Sequence, residues 1–476
     1  MMKSLAGKIL SSNNFLSLAN NGLVAVFGFF SFILLVRILP QDVFGEWILF
    51  ITAGNFIDMM RFGITRTALT RFLSGANDEE AKRLMGANYG INLTSTTIIA
   101  ILLYTCYFFF RNPIQNSGFE MFFVWYPLLS FINIPFNNAQ SVLQAQLKFD
   151  KMLWLRIVNV CSFMIFLIIN YFMKWGIEVV LAAYLISQGF SSLLSSFLNW
   201  DGIRYVFHST KQAVKVILDF GKYTTGTLIG SNLLKSSDTF IIGLSPFLGT
   251  TGVALYSIPL KLTEIIEIPL RSITATAFPD MSRASIKGDI PKVRDLFYKN
   301  AGVATWIMIP LMLFCFIFAK PIVYIIGGSD YLITVNIFRI FCIYGCLLPI
   351  DRFIGVTLDS INNPKYNFYK SLYMSIANII GDLIVVFAFA YPILYASTLF
   401  LFFEGEALHT AYNIAHGFTI IKVLEGVAFI TILFTLVGIF VGYNFLTKTL
   451  NLRFTDILKI GLSNGIKQIR NFTTNQ

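Results

Sequence analysis

The chain has 476 residues, of which 56% are hydrophobic and only 13% charged, with a formal net charge of +11 and a mean hydropathy of +0.69. Soluble domains carry about 25% charged residues, so this composition excludes a soluble enzyme, a disordered chain and a disulfide-stapled scaffold, and points to a polytopic membrane protein. The excess of basic residues suits membrane topology and anionic lipid rather than nucleic acid, because no stacking platform or zinc signature accompanies it.

The N-terminal segment 1–14 carries Lys3 and Lys8 and leads into an apolar run of full span length without an A-x-A-like cleavage site. It therefore predicts a retained first helix and not a cleaved signal. Apolar stretches long enough to cross a bilayer follow in order at 15–36, 43–60, 87–110, 119–142, 155–173, 177–198, 219–243, 250–271, 301–319, 332–356, 369–390 and 424–446. Backbone groups in hydrocarbon must be satisfied within the segment, which forces these stretches to be helical. The five cysteines (Cys106, Cys161, Cys315, Cys342 and Cys346) all lie in such runs and read as packing residues.

Basic residues alternate between connecting segments. Lys3 and Lys8; Arg61, Arg66, Arg71, Lys82 and Arg83; Lys148, Lys151 and Arg156; Arg204, Lys211, Lys215 and Lys222; Arg271 to Lys299; Lys365 and Lys370; and Lys448 to Arg470 fall on one side. The other side holds only Arg37, Arg111, Lys174, Lys320 and Lys422. The positive-inside rule then places both termini in the cytoplasm of a multi-pass protein. The apolar stretch 391–403, followed by Glu404, Glu406, His409 and His416, is too short to span comfortably and reads as a re-entrant or interfacial outer segment.

The chain reads as a weak tandem repeat. Segment 71–84 (RFLSGANDEEAKRL) has the texture of 283–296 (RASIKGDIPKVRDL). The expected fold is all-α, with about twelve transmembrane helices in two six-helix bundles. Residues 1–210 form the N-terminal bundle, 211–446 the C-terminal bundle and 447–476 a basic cytoplasmic tail. Both halves start on the same side, a parallel pseudo-repeat that suits alternating access around a central cavity.

Charged groups inside such spans are costly and are expected to face a cavity or a partner helix. Thr224, Thr227, Ser231, Lys235 and Asp238 fall within about 80° of one helix face. Ser17, Asn20, Asn21, Gly28 and Ser31 make a milder stripe in the first span. Lys261, Glu264, Glu267 and Arg271 share an arc of about 120°, with i,i+3 and i,i+4 spacings that allow two ion pairs. Pro259 and Pro269 bracket the first three of them. Arg339 lies deep in its span, whereas Arg61, Arg71, Arg271 and Arg352 lie near the cytoplasmic boundary, where a basic side chain can simply anchor the helix. Asp382 reads as a helix–helix contact. The deep groups are more basic than acidic. Lys235, Lys261 and Arg339 are therefore candidate contacts for an anionic substrate such as a phosphate or diphosphate head group. Asp238 and Glu264 would orient these bases or bind a coupling cation, with Ser231 and Thr227 as further polar candidates.

No G-x-x-x-x-G-K-[ST], G-x-S-x-G or H-E-x-x-H sequence is present. The expectation is a non-enzymatic transporter without a cofactor, either passive or coupled to an H+ or Na+ gradient.

Several segments carry a family resemblance. Residues 34–48 (LLVRILPQDVFGEWI) resemble the first-span signature of bacterial polysaccharide exporters, and 57–72 (IDMMRFGITRTALTRF) its continuation. Residues 238–243 (DTFIIG) with 252–260 (GVALYSIPL), and 348–365 (LPIDRFIGVTLDSINNPK), are similar to their second-half segments. The ordered set resembles the O-antigen flippases of the multidrug/oligosaccharidyl-lipid/polysaccharide exporter superfamily. That resemblance implies movement of an undecaprenyl-diphosphate-linked oligosaccharide from the inner to the outer leaflet of a bacterial inner membrane. It also implies partners among the polymerase and chain-length proteins of the same glycan pathway. Arg37, Asp58, Arg66, Asp238 and Arg352 fall on family-typical positions, which adds Arg37 and Arg66 to the cationic candidates and Asp58 to the polar ones. Segment 391–422 is longer than the usual connection there. The alternatives are an exporter of small amphipathic or cationic compounds on the same fold, a membrane glycan polymerase or ligase, and a scaffolding membrane protein.

Overall fold

The computed structural model describes residues 13–389, 406–453, 455–457 and 459–460. Every regular element among them is helical. In order, α1 is Asn13–Ile38, α2 Gln41–Leu73, α3 Asp78–Phe109, α4 Arg111–Gln115, α5 Glu120–Ile132, α6 Ile134–Ala145, α7 Phe149–Met173 and α8 Ile177–Phe197. A 3-10 turn at Ile203–His208 precedes α9 (Lys211–Leu244), α10 (Gly249–Ile286), α11 (Ile290–Ile317) and α12 (Ala319–Gly327). After a second 3-10 turn, Ser329–Thr334, come α13 (Val335–Ser360), α14 (Pro364–Leu383, continued by a π turn at Ile384–Phe389) and α15 (Glu406–Leu450). Eight helices among the described residues are long and apolar enough to cross a membrane. The protein is thus an all-α polytopic membrane protein.

Local chemistry sets the helix ends. Asn77 caps α3, its side-chain oxygen accepting from the Glu80 N–H at 3.0 Å. Asp78, Glu79 and Glu80 then place negative charge at the positive end of the helix dipole. Asp289 caps α11 in the same way through the Lys292 N–H. The stretch 119–142, expected as one span, is two helices. Pro135 lacks an N–H and its ring displaces the carbonyl four residues back, so α5 ends at Ile132 and α6 restarts after Asn133. The last helix is longer than expected. Residues 406–423 continue the apolar run 424–446 as one 45-residue helix, so the part of the proposed outer segment from Glu406 onward is helix. The stretch 391–403 and Glu404, and the side chains of the stripe residues Ser17, Asn20 and Asn21 and of His409 and His416, lie outside the described set.

The chain divides into two compact units. The first comprises residues up to Ser236 with Gly249–Ala254, and the second Ser237–Leu248 with the residues from Leu255 on. In the first, α1 packs along α7, and α2, α3, α5 and α6 pack mutually. The start of α9 joins them through Ala213 and Ile217, which pack with Ala68, Leu69, Leu84 and Ala87. Two close backbone approaches require glycine. A Cβ on Gly221 would overlap the Ile64 carbonyl, and one on Gly86 would overlap the Tyr205 carbonyl in the 3-10 turn. In the second unit, α13 packs against α11 and α15, and α15 also against α14.

Burial is arranged for lipid. Phe108, Phe172, Phe197, Leu193 and Phe440 are exposed, whereas Asn88, Asn92, Asn138, Asn378 and Asp382 are almost fully buried. In water the outer apolar surface would aggregate; in hydrocarbon it is the favourable face, and the interior must satisfy its polar groups among themselves.

Candidate functional site

One group of polar side chains buried in the first unit forms a connected network around Arg61. Arg61, at the middle of α2, is 1% exposed. Its Nη2 donates to Asp58 Oδ1 at 2.7 Å, and its Nη1 donates to Thr96 Oγ1 at 2.5 Å and to the Ser130 carbonyl at 2.9 Å. The guanidinium also lies 4.2 Å from the Phe62 ring centroid. Asp58 accepts a second bond from the Tyr126 hydroxyl at 2.6 Å. A turn further on, Thr65 donates to Asn92, and Asn92 and Asn88 both donate to Asn138 Oδ1. Arg61 was expected as a boundary anchor. It is instead an interior residue whose charge is balanced by Asp58. The other first-unit candidates stay outside this network: Arg66 is exposed and reaches Gln144 Oε1 at 3.3 and 3.4 Å, and Arg37 is exposed in the last turn of α1.

Among the described residues of the second unit, three charged clusters bear on the candidate positions. The first surrounds Asp238 in α9. Asn378 Nδ2 donates to Asp238 Oδ1 at 2.7 Å and to Ser237 Oγ at 2.8 Å. The Tyr256 hydroxyl donates to Asp238 Oδ2 at 2.8 Å and stands 3.5 Å from Thr431 Oγ1. Asp382, expected as a helix–helix contact, is fully buried one turn beyond Asn378 and faces the Asp238 carboxylate. Both its oxygens, and Asn378 Oδ1, lack a hydrogen-bond donor. Two carboxylates and an unengaged amide oxygen are hard donors of the kind that hold a small cation. Among the described residues no group of three His, Cys, Asp or Glu stands together as a metal centre.

The second cluster runs along α10. Lys261 Nζ meets Glu264 Oε2 at 2.6 Å, as their spacing suggested. Glu267 accepts from Arg271 Nη2 at 2.5 Å on its own helix and from Arg352 Nη2 at 2.6 Å on α13. The third cluster is a buried pair, Lys370 Nζ to Asp351 Oδ1 at 2.5 Å, with the same ammonium donating to the Asp351 carbonyl. Arg339 is separate from all three. Its Nη1 bonds Asn336 at 3.3 Å and its guanidinium lies over Phe316. Lys235 is exposed on α9. The side chains of Thr227 and Ser231 lie outside the described set.

Sequence reasoning missed the asparagine network, Tyr126, Tyr256, Asn378 and the Asp351–Lys370 pair. Two signals were present: Asn88, Asn92 and Thr96 recur at i,i+4,i+8 in α3, and Asn378 and Asp382 at i,i+4 in α14, polar stripes within apolar runs.

A built interior of charge in a lipid-facing helical protein narrows the comparison with known proteins. The family described as "Polysaccharide biosynthesis protein" matches residues 34–336. The chain belongs to that family. Among curated relatives, it is 24% identical over 424 residues to an uncharacterized membrane protein in the cps region of Klebsiella pneumoniae, covering 85% of this chain and 79% of that one. It is 22% identical over 196 residues to the probable low-salt glycan biosynthesis flippase Agl15 of Haloferax volcanii. That match spans 41% of each protein, so this polysaccharide biosynthesis family member aligns with less than half the length of Agl15. Its fold is similar to that of the lipid II flippase MurJ in an inward closed conformation, with a TM-score of 0.68 at 15% identity over 97% of this chain and 93% of that one.

Proposed function

We propose that this protein moves a lipid-linked glycan, a polyprenyl-diphosphate-linked oligosaccharide of a surface-polysaccharide pathway, from the inner to the outer leaflet of a bacterial cytoplasmic membrane. The observation that carries the reading is the family match over residues 34–336 in a chain whose lipid-facing helices enclose charged side chains. The named relatives Agl15 and MurJ, both flippases, support it. The reading is of a transporter and not of an enzyme.

In this reading the spans number twelve, in two six-helix bundles over 1–210 and 211–446, with 447–476 as a cytoplasmic tail and both termini inside. Alternating access would expose the cationic side chains to each leaflet in turn, with Lys235 and Lys261 meeting the diphosphate oxygens and Arg37, Arg66 and Arg339 contributing charge further off. Charge-assisted bonds in low dielectric supply the attraction, and the prenyl tail stays in the bilayer. Glu264 would hold Lys261 in place, with Asp58 holding Arg61. The pair Asp238 and Asp382, with Asn378 and Thr431, would bind the coupling cation, H+ or Na+, because two facing buried carboxylates need a proton or cation between them. Thr227 and Ser231 complete the polar face. Partners would be the lipid-linked substrate, membrane lipid, and the polymerase and chain-length proteins of the same pathway.

The test uses cells deleted for the gene, with the first glycosyltransferase of the glycan under control. Loss of surface glycan with complete lipid-linked repeat units retained in the inner leaflet is the expected result. Single units reaching the outer face unpolymerised would assign a polymerase instead. An unchanged surface with raised drug sensitivity would assign a small-molecule exporter. Lys235→Ala is expected to cut export at unchanged protein level.

A further inference from the structure

We propose that the connector between α8 and α9, with the start of α9, binds an anionic phospholipid of the inner leaflet: the lipid phosphate meets Lys211 and Lys215, and an acyl chain packs against Phe207. The site rests on the topology proposed above, which puts this connector at the cytoplasmic interface, and not on which cargo the protein moves.

The lipid-facing surface leads into the connector. Ile186, Phe190, Leu193 and Phe197 are exposed at i, i+4, i+7 and i+11, an apolar stripe that runs to the last residue of α8. Just beyond it Trp200 packs edge-on against Trp154 of α7, with 6.2 Å between ring centroids, and Lys151 Nζ lies 5.4 Å from the Trp200 ring. Tryptophan beside lysine at a span end is the pairing that sits at head-group level. The chain then turns as the 3-10 segment Ile203–His208. The Tyr205 carbonyl lies so close to Gly86 of α3 that no Cβ fits between them, which pins the turn to that helix. Residues three apart eclipse in a 3-10 turn, so Arg204 and Phe207 share a face, and both are exposed. Phe207 is 97% exposed. A phenyl ring held out on a pinned turn is unfavourable in water, whereas at a bilayer surface it enters the acyl boundary.

Three residues further on the surface turns cationic. A cavity of about 470 Å³ is lined by Thr210, Lys211, Val214, Lys215, Leu218 and Asp219, among others. Lys211, Val214, Lys215 and Leu218 recur at i, i+3, i+4 and i+7, so one face of α9 combines ammonium and aliphatic groups. Arg204, Lys211 and Lys215 have no hydrogen bond or ion pair, whereas Asp219, the acid of the group, is engaged by another residue of the chain. Thr210 already caps α9, its Oγ1 accepting from the Ala213 N–H at 3.2 Å. The attraction therefore comes from the side chains and not from the helix end. Two ammonium groups beside Val214, Leu218 and Phe207 match a phosphodiester that carries its own acyl chains. A soluble anion has no use for the apolar residues, and a zwitterionic head group brings its own ammonium against the lysines.

The experiment is native mass spectrometry of the purified full chain in detergent, titrated with dioleoylphosphatidylglycerol or dioleoylphosphatidylcholine, with inorganic phosphate as a competitor at constant ionic strength. Each lysine near an anionic head group contributes about 5-fold, so the wild type is expected to hold phosphatidylglycerol roughly 25-fold more tightly than phosphatidylcholine. Lys211→Gln/Lys215→Gln should hold the two lipids equally, and Lys211→Arg/Lys215→Arg should keep the preference. Phe207→Ser should weaken both lipids alike, by about 10-fold, and leave their ratio unchanged. All three variants alter exposed side chains and should melt with the wild type in lipid-free detergent. A Gln variant that still prefers phosphatidylglycerol would remove the lysines from the site. Displacement of phosphatidylglycerol by millimolar phosphate would make this a free-anion site and end the lipid assignment. Wild-type retention of both lipids by Phe207→Ser would overturn the acyl contact and leave the ring for a protein partner. The topology is read separately, in intact cells. Phe207→Cys should react with a membrane-impermeant maleimide only after the membrane is opened, measured against the wild type as background; labelling from outside would overturn the inner-leaflet assignment, whatever lipid the purified protein prefers.

Discussion

Arg61 offers the sharpest test of the interior. Arg61→Met removes a guanidinium that donates to Asp58, Thr96 and Ser130 and leaves Asp58 with the Tyr126 hydroxyl alone. Breaking a buried ion pair by deleting one partner costs about 3–5 kcal/mol. Asp58 is partly accessible, its side chain 23% exposed, and can take up a proton, so the cost should sit near the lower end, about 3 kcal/mol. For a unit of this size each kcal/mol shifts the melting temperature by about 2–4 °C, which gives roughly 6–12 °C. The double variant Asp58→Asn/Arg61→Met has no buried charge left and should recover about 1–3 kcal/mol of that loss. The assay is thermal unfolding in detergent, followed by tryptophan fluorescence, for the wild type, both single variants and the double. A double variant whose loss equals the sum of the two single losses would show that the two groups are not energetically coupled and would refute the reasoning.

Lys370→Met strands the buried Asp351 carboxylate and is expected to lower the melting temperature as much as Arg61→Met, with Asp351→Asn restoring most of it; an unchanged melt in the single variant would sink the idea of a buried pair. Gly86→Ala drives a Cβ into the Tyr205 carbonyl, which should cost about 1–3 kcal/mol as overpacking and speed tryptic cleavage at Arg204, while cleavage at the wild-type rate would mean the turn can move aside freely. Asp382→Asn removes one of two facing carboxylates; the wild type should be stabilised against heat by sodium over choline at equal ionic strength, or export should follow the proton gradient, and the variant should lose that dependence. A variant that keeps the wild-type ion response would remove Asp382 from coupling.

The helices were legible because hydropathy is a local property: among the described residues each of the spans read from the sequence falls on helix, 119–142 on two. Local charge pairs were legible for the same reason, and Lys261–Glu264 and Glu267–Arg271 meet as their spacing on one helix requires. What the sequence concealed depends on distant partners. The acceptors of Arg61 include Thr96 and Ser130, 35 and 69 residues away, and hydropathy counts such an arginine only as a penalty near a span end. Arg352 finds Glu267 across 85 residues. The break at Asn133 could have been read from Pro135, since a proline removes one helix bond wherever it falls. The continuity of α15 could not, because Glu406 to Lys422 is too polar to resemble a span.

Charge balance sorts these centres better than burial does. Asp58–Arg61 and Asp351–Lys370 are each neutral in themselves, and both are closed by hydrogen bonds within the protein. Such pairs specify helix packing and ask for nothing from outside, which is the usual role of a satisfied interior ion pair. Among the described residues of the second unit one centre is unbalanced: Asp238 faces Asp382 with no base among its hydrogen-bond donors. A transporter must leave a charge uncompensated wherever its cargo or its driving ion is to bind, because a fully neutralised site has nothing to exchange. By that criterion the coupling cation belongs with the aspartates, and Arg61, almost fully buried in the first unit, belongs to the scaffold.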